Sequence, residues 1–143
     1  MADVQHALMR AFAELHIRVY RASGGRLMGK VRGIPVLLLS VAGRKTGRTR
    51  TTPVSYFEDE GRFIVTGSAG GAPAEPQWFL NLRRADRAEI EVGRRRIEVT
   101  VAIADADQRE ALWPRLLTHA PFFADYQAKV KRQLPMAILT PTA

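Results

Sequence analysis

A cluster of basic residues between two apolar runs is the first candidate for chemistry in this sequence. The stretch Gly43 to Arg50 places four cations and two glycines in eight residues. Arginine offers a planar fork to phosphate or carboxylate oxygens, and lysine offers a point charge. Glycines let the backbone turn tightly and bring its N–H groups close to a ligand. The stretch predicts an anion-binding loop, with a solvated basic turn as the alternative.

A second glycine-bearing turn follows the next strand-like run. It reads Gly67-Ser68-Ala69-Gly70-Gly71. If both turns lie at one end of a small sheet, together they can line one elongated anionic ligand.

Other catalytic motifs do not fit the sequence. The basic stretch lacks the spacing of a phosphate-binding loop, and Lys45-Thr46-Gly47 has no Ser-x-x-Lys partner. Three histidines without cysteine or a Gly-x-Ser-x-Gly turn give no support to a triad hydrolase. No His/Asp/Glu set has metal-ligand spacing, so no metal site is expected. If the protein is an enzyme, a bound cofactor is expected to carry the reaction.

Composition sets the broad class. The 143 residues, 1–143, have the size of one domain, and the absence of cysteine excludes disulfides and thiolate metal sites. No signal peptide or membrane span is visible, so a cytoplasmic protein is expected. The 22 basic and 14 acidic residues give a net charge of +8, which attracts anions such as nucleic acid, a membrane surface or a phosphorylated coenzyme.

The first 23 residues have a helical pattern. Apolar residues recur at spacings of three and four, which predicts a helix over 1–23 with one buried stripe. Asp3 is a candidate N-cap, and Gly24-Gly25 ends the helix. We expect this helix to pack across a barrel, while arginines on its polar face leave peripheral membrane contact as an alternative. The stripe consists of Val4, Leu8, Phe12, Leu15 and Val19.

The rest of the chain alternates between strand and helix signals. The pattern predicts an α+β, mainly β fold, in which a barrel over 35–141 is flanked by the N-terminal helix and late helices. About six mostly antiparallel strands are expected, at 35–42, 51–58, 62–67, 88–92, 97–103 and 134–140. Within 62–67, alternation places Phe63 and Val65 on one face and Arg62, Ile64 and Thr66 on the other. Helical segments are expected at 77–82, at 105–117 with Asp105 as the N-cap, and at 120–130.

A set of motifs along the chain resembles the deazaflavin-dependent nitroreductase family. The resemblance extends from Pro35 to Pro141, and no single motif carries it alone. The motifs are the basic run Gly43 to Arg50 followed by Pro53, the turn Gly67 to Gly71, Pro76-x-Trp78-Phe79-x-Asn81-Leu82, Leu112-Trp113-Pro114, and Ala124-Asp125-Tyr126-Gln127.

The resemblance implies a split β-barrel that binds reduced coenzyme F420, an 8-hydroxy-5-deazaflavin with a phosphate and an oligoglutamate tail. The basic loop would hold the phosphate and tail carboxylates, the glycine turn would lie along the deazaflavin and its ribityl chain, and Trp78 and Asn81 would contact the ring system. The implied coenzyme-binding residues are Arg44, Lys45, Thr46, Gly47, Arg48, Arg50, Gly67, Ser68, Ala69, Gly70, Gly71, Trp78 and Asn81.

The resemblance also implies where the acceptor binds. Ser68 and Tyr126 would be the catalytic donors that stabilise charge on an acceptor oxygen, and Phe123 with Tyr126 would face the substrate. Two departures from the family pattern matter. Ala69 replaces a frequent polar residue, and Ala120 and Phe123 stand where nitroimidazole-reducing members have tyrosines. They predict a more apolar pocket, suited to aromatic lactones, enones or quinones rather than nitroimidazoles.

The preferred interpretation is an F420H2-dependent reductase that transfers hydride to an electron-poor conjugated acceptor, namely an aromatic lactone, enone, quinone or nitro compound. The alternatives are an FMN-binding split barrel, a basic nucleic-acid-binding barrel, and a protein that stores the coenzyme without catalysis. Nucleic acid is not expected as a partner, because the aromatic residues lie mostly outside the strands. A monomer or weak dimer is expected.

Overall fold

The computed structural model describes residues 2–142, without the side chains of residues 2, 3, 5 and 6. The predicted cap Asp3 therefore lies outside the described side chains. The helices are α1 Ala2–Ser23, α2 Gln77–Arg83, α3 Ala106–His119 and α4 Phe123–Ala128, and a 3₁₀ turn spans Ala69–Gly71. The strands are β1 Lys30–Val31, β2 Ile34–Ala42, β3 Thr49–Asp59, β4 Arg62–Thr66, β5 Arg87–Val92, β6 Arg95–Ile103 and β7 Met136–Pro141.

Six of these strands close into an antiparallel barrel. Their order is β2-β3-β4-β7-β6-β5, and β5 pairs back onto β2 through Leu39 opposite Ile90. Each of the six strands thus has a neighbour on both sides, which satisfies its backbone hydrogen bonds without an open edge. The predicted barrel of about six antiparallel strands, flanked by helices, is confirmed.

The strands differ from the prediction in two places near the basic stretch 43–50. The short β1 forms a hairpin with β2, and the sequence pattern missed it. Strand β3 begins at Thr49, so Arg50 lies on the strand opposite Val41 and not in the loop. Both differences come from backbone pairing, which a short polar stretch does not reveal through its side-chain pattern.

Alternation along the strands separates two hydrophobic clusters. Phe63 and Val65 belong to the cluster with Leu37, Leu39 and other inward-facing strand residues, while Ile64 belongs to a second cluster under α3 and α4. The predicted faces of β4 are confirmed. The whole strand is nevertheless buried except at Arg62, because both of its faces are covered.

Helix α2 connects the first cluster to the site. Phe79 and Leu82 are both 0% exposed and pack into the strand cluster. Their neighbours Trp78 and Asn81 are thereby held in place on the same short helix. The predicted helical turns at 77–82 are confirmed.

The predicted burial of the α1 stripe is wrong over most of its length. Leu8 is 63% exposed, Phe12 72% and Leu15 55%. Only the C-terminal end docks firmly, where Tyr20 is 1% exposed. The Tyr20 hydroxyl donates to the carbonyl of Glu91 at 3.2 Å and accepts from the Gly93 N–H at 2.8 Å, and Arg21 forms two hydrogen bonds to the Glu91 carboxylate. The strand cluster is filled by the strands and α2, so the stripe has no inner surface to bury against.

Helices α3 and α4 cover the outer side of β4 and β7. Asp105 caps α3, with its carboxylate accepting from the Gln108 N–H at 2.8 Å, as predicted. Ala120, which follows α3, is completely buried in the second cluster. Among the described residues, no helix has the length and hydropathy that a membrane crossing requires.

Candidate functional site

The basic loop is a closed turn between β2 and β3. The Gly43 N–H donates to the Arg48 carbonyl at 2.8 Å, and the Gly47 N–H donates to the Gly43 carbonyl at 2.8 Å. Gly47 has φ +75°, a conformation that residues with a Cβ rarely adopt. The Thr46 hydroxyl accepts from the Arg48 N–H at 3.2 Å. These hydrogen bonds hold the backbone of the loop in one closed turn.

Asn81 ties this loop to α2. Its side-chain oxygen accepts one hydrogen bond from the Arg44 backbone N–H at 3.1 Å and another from Arg44 Nη1 at 2.8 Å. Arg44 Nη2 donates to Gln77 Oε1 at 2.8 Å. Asn81 is only 6% exposed, so these bonds lie in a partly desolvated place where they are costly to lose. Asn81 thus positions an arginine, a role that its sequence neighbours did not reveal.

A cavity of about 470 Å³ opens between the loop, α2 and α1. Its described lining includes four cations and no carboxylate. Of the residues predicted to bind the coenzyme, the lining contains Arg44, Lys45, Thr46, Arg50, Trp78 and Asn81, but not Gly47 or Arg48. It further contains Arg10, Ala13, Gly43, Thr51, Thr52 and Gln77.

Arg10 is the fourth cation of this cavity, and it comes from α1. In the sequence, Arg10 belongs to the polar face of the helix, for which peripheral membrane contact was the alternative role. The hydrogen bonds of Tyr20 and Arg21 to Glu91, together with the packing of α1 along β3, direct this face of the helix toward the basic loop. Before the fold is known, Arg10 does not differ from the other arginines of this face, so no sequence signal singles it out.

A second cavity of about 220 Å³ lies on the other side of Trp78, which lines both. Ser68, Ala69 and Gly70 line it from the glycine turn, and Phe123 and Tyr126 line it from α4. The structure therefore brings the predicted catalytic and substrate residues together. Val31, Arg32, Pro53, Val54, Ser55, Thr66 and Phe122 complete the described lining.

Gly67 and Gly71 lie outside both linings, and packing explains each of them. A Cβ on Gly67 would lie 2.8 Å from the Phe79 ring. Gly71 has φ +85°, and a Cβ there would meet the Tyr126 carbonyl at 3.0 Å. Close approach between protein segments thus accounts for both glycines without a ligand.

Arg132 holds the glycine turn in shape. Its guanidinium donates to the carbonyls of Gly67 at 3.2 Å, Ser68 at 3.1 Å and Ala72 at 3.0 Å, and it reaches the Ala74 carbonyl at 3.3 Å. Arginine suits this role because its five N–H donors lie in one rigid plane. No local pattern around residue 132 predicted this contact, since its partners lie about 60 residues earlier in the chain.

Tyr126 is paired with a second arginine that the sequence did not single out. Arg32 Nη1 donates to the Tyr126 hydroxyl oxygen at 2.9 Å, and the Arg32 guanidinium lies 4.3 Å from the centre of the Phe122 ring. Phe122, Phe123 and Tyr126 pack against each other with ring centres 5.1 to 5.6 Å apart. The expected apolar pocket therefore carries a fixed positive charge. Ala120 does not line this pocket and is buried in the second cluster.

No metal-binding cluster of three His, Cys, Asp or Glu side chains occurs among residues 2–142 as described. Cation and hydroxyl donors line the two cavities, which share Trp78. Such a donor set fits an anionic ligand.

Comparisons with known proteins agree with this geometry. The family model of the F420H(2)-dependent quinone reductases matches residues 12–141. The F420H(2)-dependent quinone reductase Rv1261c of Mycobacterium tuberculosis is 35% identical over 131 residues, which cover 88% of this chain and 87% of that protein.

Two solved structures are similar over most of their length. An F420-H2 dependent reductase, FDR-A, has a TM-score of 0.67 and is 27% identical. The match covers 73% of this chain and 93% of the FDR-A chain. A chain described as a domain-swapped dimer has a TM-score of 0.70 and is 25% identical. The match covers 88% of this chain and 94% of that second chain.

The closed antiparallel barrel with its flanking helices places the protein among the split β-barrels. Within that class, the chain belongs to the F420H(2)-dependent quinone reductase family and is an oxidoreductase. The resemblance drawn from the sequence motifs is confirmed, as is the expectation of an F420-dependent enzyme. Family membership implies coenzyme F420 as the cofactor, and the cation-lined cavity fits its acidic tail.

Proposed function

We propose that the protein reduces quinones and related electron-poor conjugated acceptors, with the coenzyme across both cavities and the acceptor in the smaller one. The observation that carries the proposal is that the cation-lined cavity and the cavity of Ser68 and Tyr126 meet at Trp78. An acidic tail in the first cavity thus leads a ring system to the edge of the second. When bound, the reduced deazaflavin supplies the hydride.

The protein's own residues bind and orient the reactants. Four cations neutralise the phosphate and carboxylates of the tail, namely Arg10, Arg44, Lys45 and Arg50. Asn81 keeps Arg44 in place, and Trp78 on the same helix offers a flat surface between the two cavities. Holding both reactants in one orientation is the main catalytic contribution expected of such a site.

Ser68 and Tyr126 are proposed to donate hydrogen bonds to the acceptor oxygen as negative charge develops on it. The Tyr126 oxygen accepts from Arg32, so its own proton is available to another acceptor. A proton transferred from Tyr126 and the hydride together complete the two-electron reduction of a carbonyl or enone. The phenolate that remains is paired with Arg32 and regains a proton from solvent.

The acceptor preference follows from the lining of the smaller cavity. Phe122, Phe123 and Trp78 suit flat aromatic rings, such as quinones, enones and aromatic lactones. Nitro compounds are proposed to be poorer substrates, because Ala69 and Phe123 offer no hydroxyl or amino group to a nitro oxygen.

Fluorescence titration with oxidised coenzyme F420 tests the binding role. Replacing Lys45 and Arg50 together by alanine should weaken binding by on the order of 2–4 kcal/mol, since each charge-assisted contact contributes about 1.5–3 kcal/mol before screening. Arg84→Ala with Arg87→Ala removes the same charge from residues outside both cavities and should leave the affinity unchanged. Equal affinity in the wild type and the first double variant would contradict the proposal.

Turnover is tested by mixing the protein with reduced coenzyme and menadione and following reoxidation of the deazaflavin. Reoxidation at a rate above the protein-free control is expected. If neither binding nor turnover of the deazaflavin occurs while FMN binds tightly, the flavin-binding alternative replaces the proposal. Coenzyme binding without turnover across quinones and enones would instead favour storage.

The exposed stripe of α1 supports a proposal of peripheral membrane contact. Leu8, Phe12 and Leu15 are each more than half exposed on one helix that also carries arginines. Sedimentation with anionic lipid vesicles should retain the wild-type protein and lose the variant Leu8→Ser with Phe12→Ser. Equal sedimentation of the two proteins would exclude this contact.

A further inference from the structure

Arg32 is delivered to the smaller cavity by an unusual turn. Strands β1 and β2 are joined by Arg32 and Gly33, which have φ +53° and φ +81°, between the paired residues Val31 and Ile34. Two-residue hairpin turns of this kind favour Asn or Gly at their first position, and arginine is uncommon there. A residue with a Cβ is disfavoured in this left-handed conformation. The turn therefore holds a long cationic side chain at a position where a small residue is more stable.

The guanidinium is fixed at the cavity wall by two contacts. Its Nη1 donates to the Tyr126 hydroxyl at 2.9 Å, and its plane lies over the Phe122 ring at 4.3 Å. Both partners belong to the segment that follows α3, so the β1–β2 turn and this segment meet across the opening. The Tyr126 contact is the one hydrogen bond of the Arg32 side chain within the described residues, which leaves further N–H groups available to a ligand.

Arg32 is also the single charged residue in the described lining of the smaller cavity. No carboxylate in that lining neutralises it, and the other lining residues are apolar, hydroxyl-bearing or glycine. Arg32 is exposed, so solvent screens part of its charge, but the apolar Phe122 ring on one side of the guanidinium leaves its attraction for an anion stronger than in bulk water. The field in this cavity thus favours negative charge on whatever occupies it.

We propose that Arg32 makes the smaller cavity selective for acceptors that carry a negative charge, such as a quinone or enone with an ionised carboxylate substituent. The inference deepens the proposed function, because it assumes that the acceptor occupies this cavity. The anionic oxygen takes the available guanidinium N–H groups, while the flat ring lies against Phe122 and Trp78. Arg32 is then the residue that determines specificity, and Tyr126 holds it in place.

The test compares two ligands of nearly equal size with the coenzyme-free protein. Isothermal titration calorimetry measures binding of 2-hydroxy-1,4-naphthoquinone, which is ionised at neutral pH, and of neutral 2-methoxy-1,4-naphthoquinone. The wild type should bind the anion roughly tenfold more tightly, the change expected for one partly exposed charge pair. Raising the salt concentration from about 0.02 M to about 0.5 M should reduce this preference.

Three variants test whether Arg32 causes the preference for the anionic quinone. Arg32→Met should abolish it while keeping affinity for the neutral quinone, and Arg32→Lys should retain part of it. Arg84→Ala removes an exposed charge outside both cavities and should leave the preference intact. Circular dichroism and thermal melting establish that each variant is folded, and if Arg32→Met fails to fold, Arg32→Lys and the salt series still decide the outcome.

Equal affinity for the two quinones in the wild type, a preference that survives in Arg32→Met, or no binding of either quinone would overturn the inference. Because no coenzyme is present, the result is separate from the test of the proposed function. If the protein prefers the anionic quinone but binds no deazaflavin, the proposed function is wrong and the role assigned to Arg32 stands.

Discussion

The side-chain oxygen of Asn81 holds Arg44 at two points, the backbone N–H at 3.1 Å and Nη1 at 2.8 Å. Through this pair, helix α2 and the basic loop form one unit. Trp78 lies on the same helix, so the cation-lined cavity and the wall between the two cavities are positioned together. A change at Asn81 should therefore affect coenzyme binding without any contact to the reacting atoms.

Two replacements of Asn81 separate its structural role from its electrostatic one. Asn81→Ala removes the acceptor and should destabilise the protein by about 1–3 kcal/mol, because the Arg44 donors lose a partner in a partly buried place. Asn81→Asp keeps an acceptor and should retain most of the stability. Its negative charge among the four cations should still weaken binding of the acidic coenzyme. Urea denaturation and fluorescence titration measure the two effects. Unchanged coenzyme affinity in both variants would contradict the assigned position of the tail.

Arg132 should control the order of the glycine turn. Arg132→Lys keeps the charge but cannot span the carbonyls of residues 67–74, so we expect a loss of about 1–3 kcal/mol in the free energy of unfolding. Hydrogen exchange of the 67–74 backbone should become faster in this variant. Lys131→Ala changes the neighbouring exposed cation and serves as the control. Unaltered exchange in Arg132→Lys would show that the turn is held by its own backbone.

Gly67 should tolerate no side chain. In Gly67→Ala the new Cβ would lie 2.8 Å from the Phe79 ring, and overpacking of this kind costs about 1–3 kcal/mol. In the double variant Gly67→Ala with Phe79→Leu, the loss of stability should be smaller than the sum of the losses in the two single variants, because the smaller side chain relieves the clash. The control is Gly70→Ala, where no atom lies within 4 Å and only the positive φ disfavours alanine. Additive effects in the Gly67 and Phe79 pair would exclude the clash.

Asp59 should make stability depend on pH in the acid range. Burial by itself raises the pKa of its carboxyl group, but hydrogen bonds from Arg115 at 2.6 Å and Arg62 at 3.0 Å outweigh burial and lower the pKa below its usual value. A lowered pKa in the folded state contributes stability above the unfolded pKa of about 3.9, and this contribution is lost as the pH falls through the lower folded value.

Replacing Asp59 by Asn should therefore destabilise the protein at pH 7 by on the order of 1 kcal/mol, and the difference should shrink as the pH falls from about 4 through the lowered folded pKa. Urea denaturation at a series of pH values measures it. Glu60→Gln is the matched control, since Glu60 is 77% exposed and lies 3.9 Å from Arg62. If the difference in unfolding free energy between Asp59→Asn and the wild type persists at low pH, the stability comes from the shape of the side chain and not from its charge.

Local patterns in the sequence determined the types of the elements and the two turns, and the likeness of its motif set to a known family implied the deazaflavin-dependent reductase class. Alternation predicted the two faces of β4, and the Asp105 cap predicted the start of α3. These two features depend on residues close together in the chain. Their physical causes, backbone propensity, capping and side-chain period, act over a few residues and are visible without a fold.

Tertiary structure alone decided which residues meet. The pairing of β2 with β5 closes the barrel, Arg32 reaches Tyr126 across 94 positions, and Arg132 reaches Gly67 across 65. The exposure of the α1 stripe was likewise decided by the filled barrel and not by the helix's own pattern. An arginine's sequence neighbours do not encode its partner, because a long side chain takes whatever acceptors the closed barrel brings within about 3 Å.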